Sequence, residues 1–179
     1  MMGGERGKKV VVLVGPAASG KSTFALELVE RTKTDEGDRW VRVCQDVISN
    51  GKRGSRKQCV RALQAGLTQG LSVVVDRCHV DPGQRADFVK AARDSGAGEV
   101  IAVVFQVSSD ELKQRMLGRL NHEGGLNGKR GVAVCQRMLK MMKPPTESEG
   151  FTKILYISNE KDRRDVICDH LCADRAAVD

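Results

Sequence analysis

The eight residues Gly15-Pro16-Ala17-Ala18-Ser19-Gly20-Lys21-Ser22 follow directly on the apolar run Lys9–Val14 (KVVVLV) and lead into a helical pattern from Lys21 to Thr32. A glycine, four residues and Gly-Lys-Ser between a strand and a helix make a phosphate-binding loop. The glycines let the backbone curl until successive N–H groups face one anion, and the helix behind adds the positive end of its dipole. Gly15, Ala18, Ser19 and Gly20 would form the cradle. Lys21 would reach the β- and γ-phosphates as a point charge, the Ser22 hydroxyl would hold Mg²⁺, and Thr23 would lie near the α-phosphate. Such a loop needs a strand ending at a ligand crevice, so it limits the chain to the α/β class.

The rest of the pattern agrees. Apolar runs at Trp40–Cys44, Ser72–Asp76, Val100–Val107 and Lys153–Ser158 alternate with helical segments. The helices are expected over Gln58–Gln69, from Pro82 to Ser95 with Asp81 as N-cap, from Ser108 or Ser109 to Leu120, over Val132–Lys143, and after Asn159. Strands that are apolar throughout are buried on both faces, which predicts a P-loop NTPase-type parallel sheet of about five strands with helices on both sides. At 179 residues the chain has the length of one domain. Residues 1–8 read as a flexible lead and 9–179 as the domain. The Gly-rich polar stretch between Asn121 and Arg130 marks residues 115–131 as a mobile lid.

A phosphate loop does not choose a reaction, so other residues must. Asp46 closes the second strand and Asp76 the third, at the carboxyl ends where ligands of parallel sheets bind. Asp46 is the candidate general base for an attacking hydroxyl. Asp76 would order Mg²⁺ waters or hold the acceptor. Arg115 and Arg119, four residues apart, share one helix face and suit clamping a transferring phosphoryl group. The loop holding Lys52, Arg53, Arg56 and Lys57 follows Asp46 and would attract a nucleic-acid backbone. The formal net charge of +7 points the same way, whereas aromatics at 3% are too few for base stacking to dominate.

Other readings lose ground. No stretch approaches the length of a membrane helix, and the N-terminal residues lack a signal peptide's apolar core. The six cysteines form no C-x-x-C pair and read as reduced thiols of an intracellular protein, nuclear or cytoplasmic. Cys168, His170 and Cys172 fall on one helical turn and point in different directions, a poor metal set. No N-K-x-D guanine-reading motif follows a strand. His79, His122 and His170 read as surface or packing residues.

Taken in order, GPAASGKSTF, CQDVISNGKRGSRKQCV, GLSVVVDRCHVDPGQRADFV, the arginine helix and PPTESEGFTKIL resemble the P-loop polynucleotide 5′-hydroxyl kinase family over roughly residues 9–158. The likeness extends to the kinase-like module of plant aprataxin-like proteins. The resemblance implies an ATP- and Mg²⁺-dependent kinase acting on 5′-hydroxyl ends of DNA or RNA, in nucleic-acid repair. It implies that Lys21 and Ser22 bind ATP phosphates and Mg²⁺, that Asp46 is the base, that Arg115 and Arg119 are lid arginines, and that Asp76 sits on the acceptor side. The chain departs from the pattern at Ser49, where the family places an arginine for the acceptor's 3′-phosphate. Arg53, Arg56 and Arg77 are the candidate substitutes. Two alternatives stand beside this reading: a kinase of a nucleoside, sugar or antibiotic, and a nucleotide-gated nucleic-acid-binding module with little kinase activity.

Overall fold

The computed structural model describes residues 7–34, 39–118 and 126–172. Arg119, His122, most of the expected N-terminal lead and residues 119–125 of the expected lid lie outside the described residues.

Five strands, β1 (Lys9–Val14), β2 (Trp40–Cys44), β3 (Ser72–Asp76), β4 (Glu99–Phe105) and β5 (Lys153–Ile157), form one parallel sheet in the order β2-β3-β1-β4-β5. Its helices are α1 (Lys21–Arg31), α2 (Arg56–Thr68), α3 (Pro82–Asp94), α4 (Ser109–Leu117), α5 (Gly128–Met141) and α6 (Glu160–Asp165). The central strand shows why its sequence is apolar without alternation. Val10, Val12 and Val14 pack with Leu63 and Leu67 of α2 and Phe88 of α3 on one face. Val11 and Leu13 pack with Phe24 and Leu28 of α1 and Ile167 on the other. All five β1 residues from Val10 to Val14 are fully buried, each removal from water contributing roughly 1.5–3 kcal/mol. This is the expected P-loop NTPase-type sheet. Among the described residues no helix is long and apolar enough to cross a membrane.

Helix ends follow local chemistry. Asp81 accepts the Gln84 N–H with Pro82 at the first helical position, as expected. Ser108 and Asn159 cap α4 and α6 in the same way. Two starts differ from expectation. Helix α2 begins at Arg56, because Ser55 and Gln58 form a reciprocal capping box inside the stretch read as loop. Helix α5 begins at Gly128, inside the expected lid, where the bare backbone of Gly131 lets it close on α4: a Cβ there would stand 2.5 Å from Met116 Sδ. The last helix continues beyond α6 as a π-turn over Val166–Leu171.

One staple joins distant segments. Arg85 on α3 is fully buried and donates to both carboxylate oxygens of Glu149 at 2.7 Å. Its remaining nitrogen, Nη1, donates to the carbonyls of both His79 and Lys143 at 3.0 Å. The start of α3, the chain leaving α5 and the turn before β5 are thereby fixed to one side chain.

Candidate active site

The loop between β1 and α1 is held open from behind. The Gly15 N–H donates to the Cys78 carbonyl at 2.9 Å. A side chain at Gly15 would meet Ser19 Oγ at 2.9 Å and Phe105 Cβ at 3.2 Å, so only glycine fits. Ala18 and Gly20 take positive φ, 65° and 99°, which turns the backbone over. The outward carbonyls are engaged: Ala17 accepts from the Cys135 thiol of α5 and Ala18 from Arg115 Nη1 of α4. Carbonyls engaged in this way suit a loop that offers its N–H groups to an anion. Gly20 gives α1 no side-chain cap, and no acidic residue stands in the first turn, so the positive helix end is uncompensated. Lys21, only 6% exposed, folds its ammonium against the Pro16 carbonyl and Ser19 Oγ, over the mouth of the cradle.

On one side of this loop lies an inner crevice of about 240 Å³. It brings together Lys21, Ser22 and Thr23 with Asp46, Asp76 and three arginines, Arg53, Arg56 and Arg77. Asp46 stands just beyond the end of β2, half-buried. The basic loop after it is ordered: Ser49 and Lys52 exchange both backbone hydrogen bonds around Asn50-Gly51, whose φ values of 52° and 78° suit a tight two-residue hairpin turn. Gln45 and Gly54 close its base, with Gln45 Nε2 donating to the Gly54 carbonyl at 2.8 Å.

The charged walls differ in their partners. Asp76 is gripped by Arg42 of β2, at 2.9 Å from Nε and 2.6 Å from Nη2. It is therefore an anchored carboxylate, not a simple turn aspartate. Arg56 pairs with the exposed Asp87 at 3.0 Å. The Arg77 guanidinium lies 5.3 Å above the Phe88 ring, and its Nη1 is buried with no partner. Burial lowers the Arg77 pKa. A buried cationic donor without an acceptor, on a crevice wall, is a fit for an anion. His79 is buried behind it, Nδ1 on the Leu13 carbonyl at 2.9 Å, and burial pushes its pKa down to about 3, so the ring is neutral. Burial and then the Asp76 carboxylate push the Cys44 thiol up to about 11, which rules it out as a thiolate nucleophile here.

A larger outer cavity of about 540 Å³ opens on the other side of the same loop. Ala18, Gly20 and Thr23 face both spaces. Its walls are Phe105 and Val107 at the end of β4, Ile157, Ser158 and Asn159 at the end of β5, and Arg163 of α6. The sequence alone points to no nucleoside pocket; these side chains come from three places in the chain with no common spacing, and only the topology collects them. Arg115 lines this outer cavity, not the crevice that holds Asp46, and its Nη2 is held by Glu111. Arg115 thus meets the phosphate loop from the outer side, while Arg119, its expected partner in the clamp, lies outside the described residues. Arg115 Nη1 touches the loop, 3.9 Å from where a Gly20 side chain would begin.

The hard oxygen donors of Ser22, Asp46 and Asp76 on one crevice fit a small divalent cation that also binds phosphate.

Comparison with known proteins agrees with this architecture. A family model described as AAA domain (AAA_33) matches residues 10–145. Transcription factor bHLH140 of Arabidopsis thaliana is 37% identical over 153 residues, covering 86% of this chain and 16% of that protein. The chain therefore spans about a sixth of the length of that relative. A gluconokinase from Sinorhizobium meliloti 1021 is 19% identical with a TM-score of 0.60, covering 90% of this chain and 91% of that one, a likeness of fold. A chain of the solved Pnkp1/Rnl/Hen1 complex is 25% identical with a TM-score of 0.52, over 65% of this chain and 42% of that one.

Proposed function

The chain belongs to the AAA domain family, and from that premise we propose that it is an ATP-dependent kinase that phosphorylates the 5′-hydroxyl ends of polynucleotides. The observation that carries the reading is the inner crevice, where the phosphate loop, a half-buried aspartate and three arginines face one another. The nucleoside of ATP occupies the outer cavity and its phosphates pass over Ala18, Gly20 and Lys21 toward the crevice. The acceptor end enters from the side of Arg53 and Arg77.

The residues then divide the work. Asp46 accepts the proton of the attacking hydroxyl as its oxygen bonds to the γ-phosphorus. The bond from that phosphorus to the bridging oxygen breaks, and ADP carries the electron pair away. Lys21 and the loop N–H groups take up the charge that develops on the phosphoryl oxygens. Ser22, with Asp76 facing it, would hold Mg²⁺, which would supply neutralisation of phosphate charge. Arg77 offers an unsatisfied donor to an anionic acceptor.

A second reading has one observation in its favour. The crevice holds about 240 Å³, room for a nucleoside-sized acceptor, and the gluconokinase shares the fold. A basic wall of three arginines suits a polyanion better than a neutral sugar.

Transfer of label from γ-labelled ATP separates the readings. A 5′-hydroxyl oligonucleotide labelled faster than a free nucleoside or gluconate supports the proposal. Labelling of a small molecule alone overturns it in favour of a small-molecule kinase. Oligonucleotide binding that responds to ATP with no transfer overturns it in favour of a nucleotide-gated binding module.

A further inference from the structure

Four exposed cations of α5, Lys129, Arg130, Arg137 and Lys140, lie on one side of the helix. At 3.6 residues per turn they fall within about 100° of arc and span about 17 Å along the axis. The opposite side is apolar: Gly131 and Cys135 are buried against α4 and the phosphate loop. The helix contains no acidic residue. Among the described residues none of the four cations forms an ion pair.

Four other helices treat their charges differently, whereas α2, with Arg56, Lys57 and Arg61 and no acidic residue, resembles α5 and borders the same crevice through Arg56. Glu27–Arg31 on α1, Lys90–Asp94 on α3, Glu111–Arg115 on α4 and Lys161–Asp165 on α6 are neutralised within the helix. Helix stability does not explain α5 either. Lys129 and Arg130 stand in its first turn, where the macrodipole disfavours cations and where no acidic residue offsets them. The basic side is also continuous with the site. Met138 of α5 lines the inner crevice, and the half-exposed Met141 lies between it and Arg137 around the helix.

We propose that this face of α5 is a docking track for the phosphate backbone of a nucleic-acid strand, engaging it several nucleotides from the end seated in the crevice. The proposal rests on the polynucleotide reading above and adds where the body of the acceptor lies. It also separates the two loci: the crevice sets which end reacts, and α5 sets how tightly a longer strand is held.

The test replaces Lys129, Arg130, Arg137 and Lys140 together by glutamine, which keeps helix propensity. The probe is a 3′-fluorescein-labelled 20-nucleotide DNA strand with a 5′-hydroxyl, titrated at several KCl concentrations. The expected results are at least tenfold weaker binding and a salt slope smaller by about 3, at ~0.7 per lost phosphate contact. Phosphorylation of a dinucleotide should be unchanged. A control variant with Lys33, Lys90, Lys161 and Arg164 replaced by glutamine should stay within about twofold of the parent protein. Equal weakening in both variants would overturn the track, since net charge alone would then account for it. So would unchanged binding in the α5 variant, or wild-type protein that binds phosphatidylserine vesicles but not the strand. If α5-dependent binding is found without phosphate transfer, the track stands and the kinase reading fails; if transfer is found with α5-independent binding, the kinase reading stands and the track fails.

Discussion

Arg42 and Asp76 are locked across neighbouring strands, two guanidinium nitrogens sharing one carboxylate oxygen at 2.9 and 2.6 Å. The register sets Arg42 beside Val74 and Asp76 beside Cys44, so the pair is diagonal on β2 and β3. Their side chains are only 12% and 3% exposed. Asp76→Ala breaks a buried charge pair by removing one member, and about 3–5 kcal/mol of stability should be lost. Adding Arg42→Met should restore part of it. Urea unfolding of the single and double variants measures this; an Asp76→Ala protein as stable as the parent would mean the pair does not hold the sheet edge.

Asp46 differs, because it faces the crevice and, among the described residues, its carboxylate is held by no arginine. Asp46→Asn should lower kcat by about 10²- to 10⁴-fold, the usual contribution of a general base. Nucleotide affinity should stay within about threefold, since the cradle is untouched. Single-turnover transfer with a parallel nucleotide titration checks both; near-normal turnover would remove Asp46 from the chemistry.

His79 carries a pH dependence. Its folded pKa of about 3 lies below the ordinary 6.5 because burial disfavours the charged ring. Between those values the unfolded chain binds the extra proton, so stability should fall as pH drops from about 6.5, by up to about 1.4 kcal/mol per pH unit. Above 6.5 this contribution is fully present. In His79→Asn, whose side chain tolerates the positive φ of 46°, the curve should flatten. Urea unfolding from pH 7.5 to pH 5 tests it, and a variant with the parent's slope would exclude His79 as the source.

The Arg85–Glu149 staple should fail in acid. Burial pushes the Glu149 pKa upward, but hydrogen bonds from Arg85 and Thr146 outweigh it and hold the carboxyl below its usual value of 4.5. The stabilisation is present above that value and is lost as pH falls through the lower folded pKa. Glu149→Ala should lose about 3–5 kcal/mol at pH 7, a drop of roughly 6–20 °C in Tm. The gap from the parent should shrink below pH 4.5. Thermal melts across that range decide, and a gap independent of pH would show that the carboxylate's charge is not what matters.

The legible parts of this molecule were those written in consecutive residues. Apolar runs such as Val73–Val75 declared strands buried on both faces, Asp81-Pro82 declared a helix start, and the glycines and Lys21 declared the cradle. The crevice also collects Asp46, Arg53, Arg56, Asp76 and Arg77 as residues ending or following two adjacent strands. The rest depends on distance or on competing signals. The capping box of Ser55 and Gln58 was present in the sequence but sat within glycines and cations that read as loop. Arg85 and Glu149 are 64 residues apart, and nothing local announces that they meet. The helical spacing of Arg115 marks it as a basic residue near the phosphates, but which side of the loop it meets is set by its bond to the Ala18 carbonyl and its contact with Glu111, and no local pattern gives that.

Ala18, Gly20 and Thr23 border two spaces at once, so the nucleotide cradle is a partition with a doorway on either side. A reactant arriving through one doorway need not wait for the other to clear. Both must be seated together for chemistry to occur, so initial rates measured with the two varied should give intersecting rather than parallel double-reciprocal lines. Neither product would have to exit along the path by which its counterpart came in.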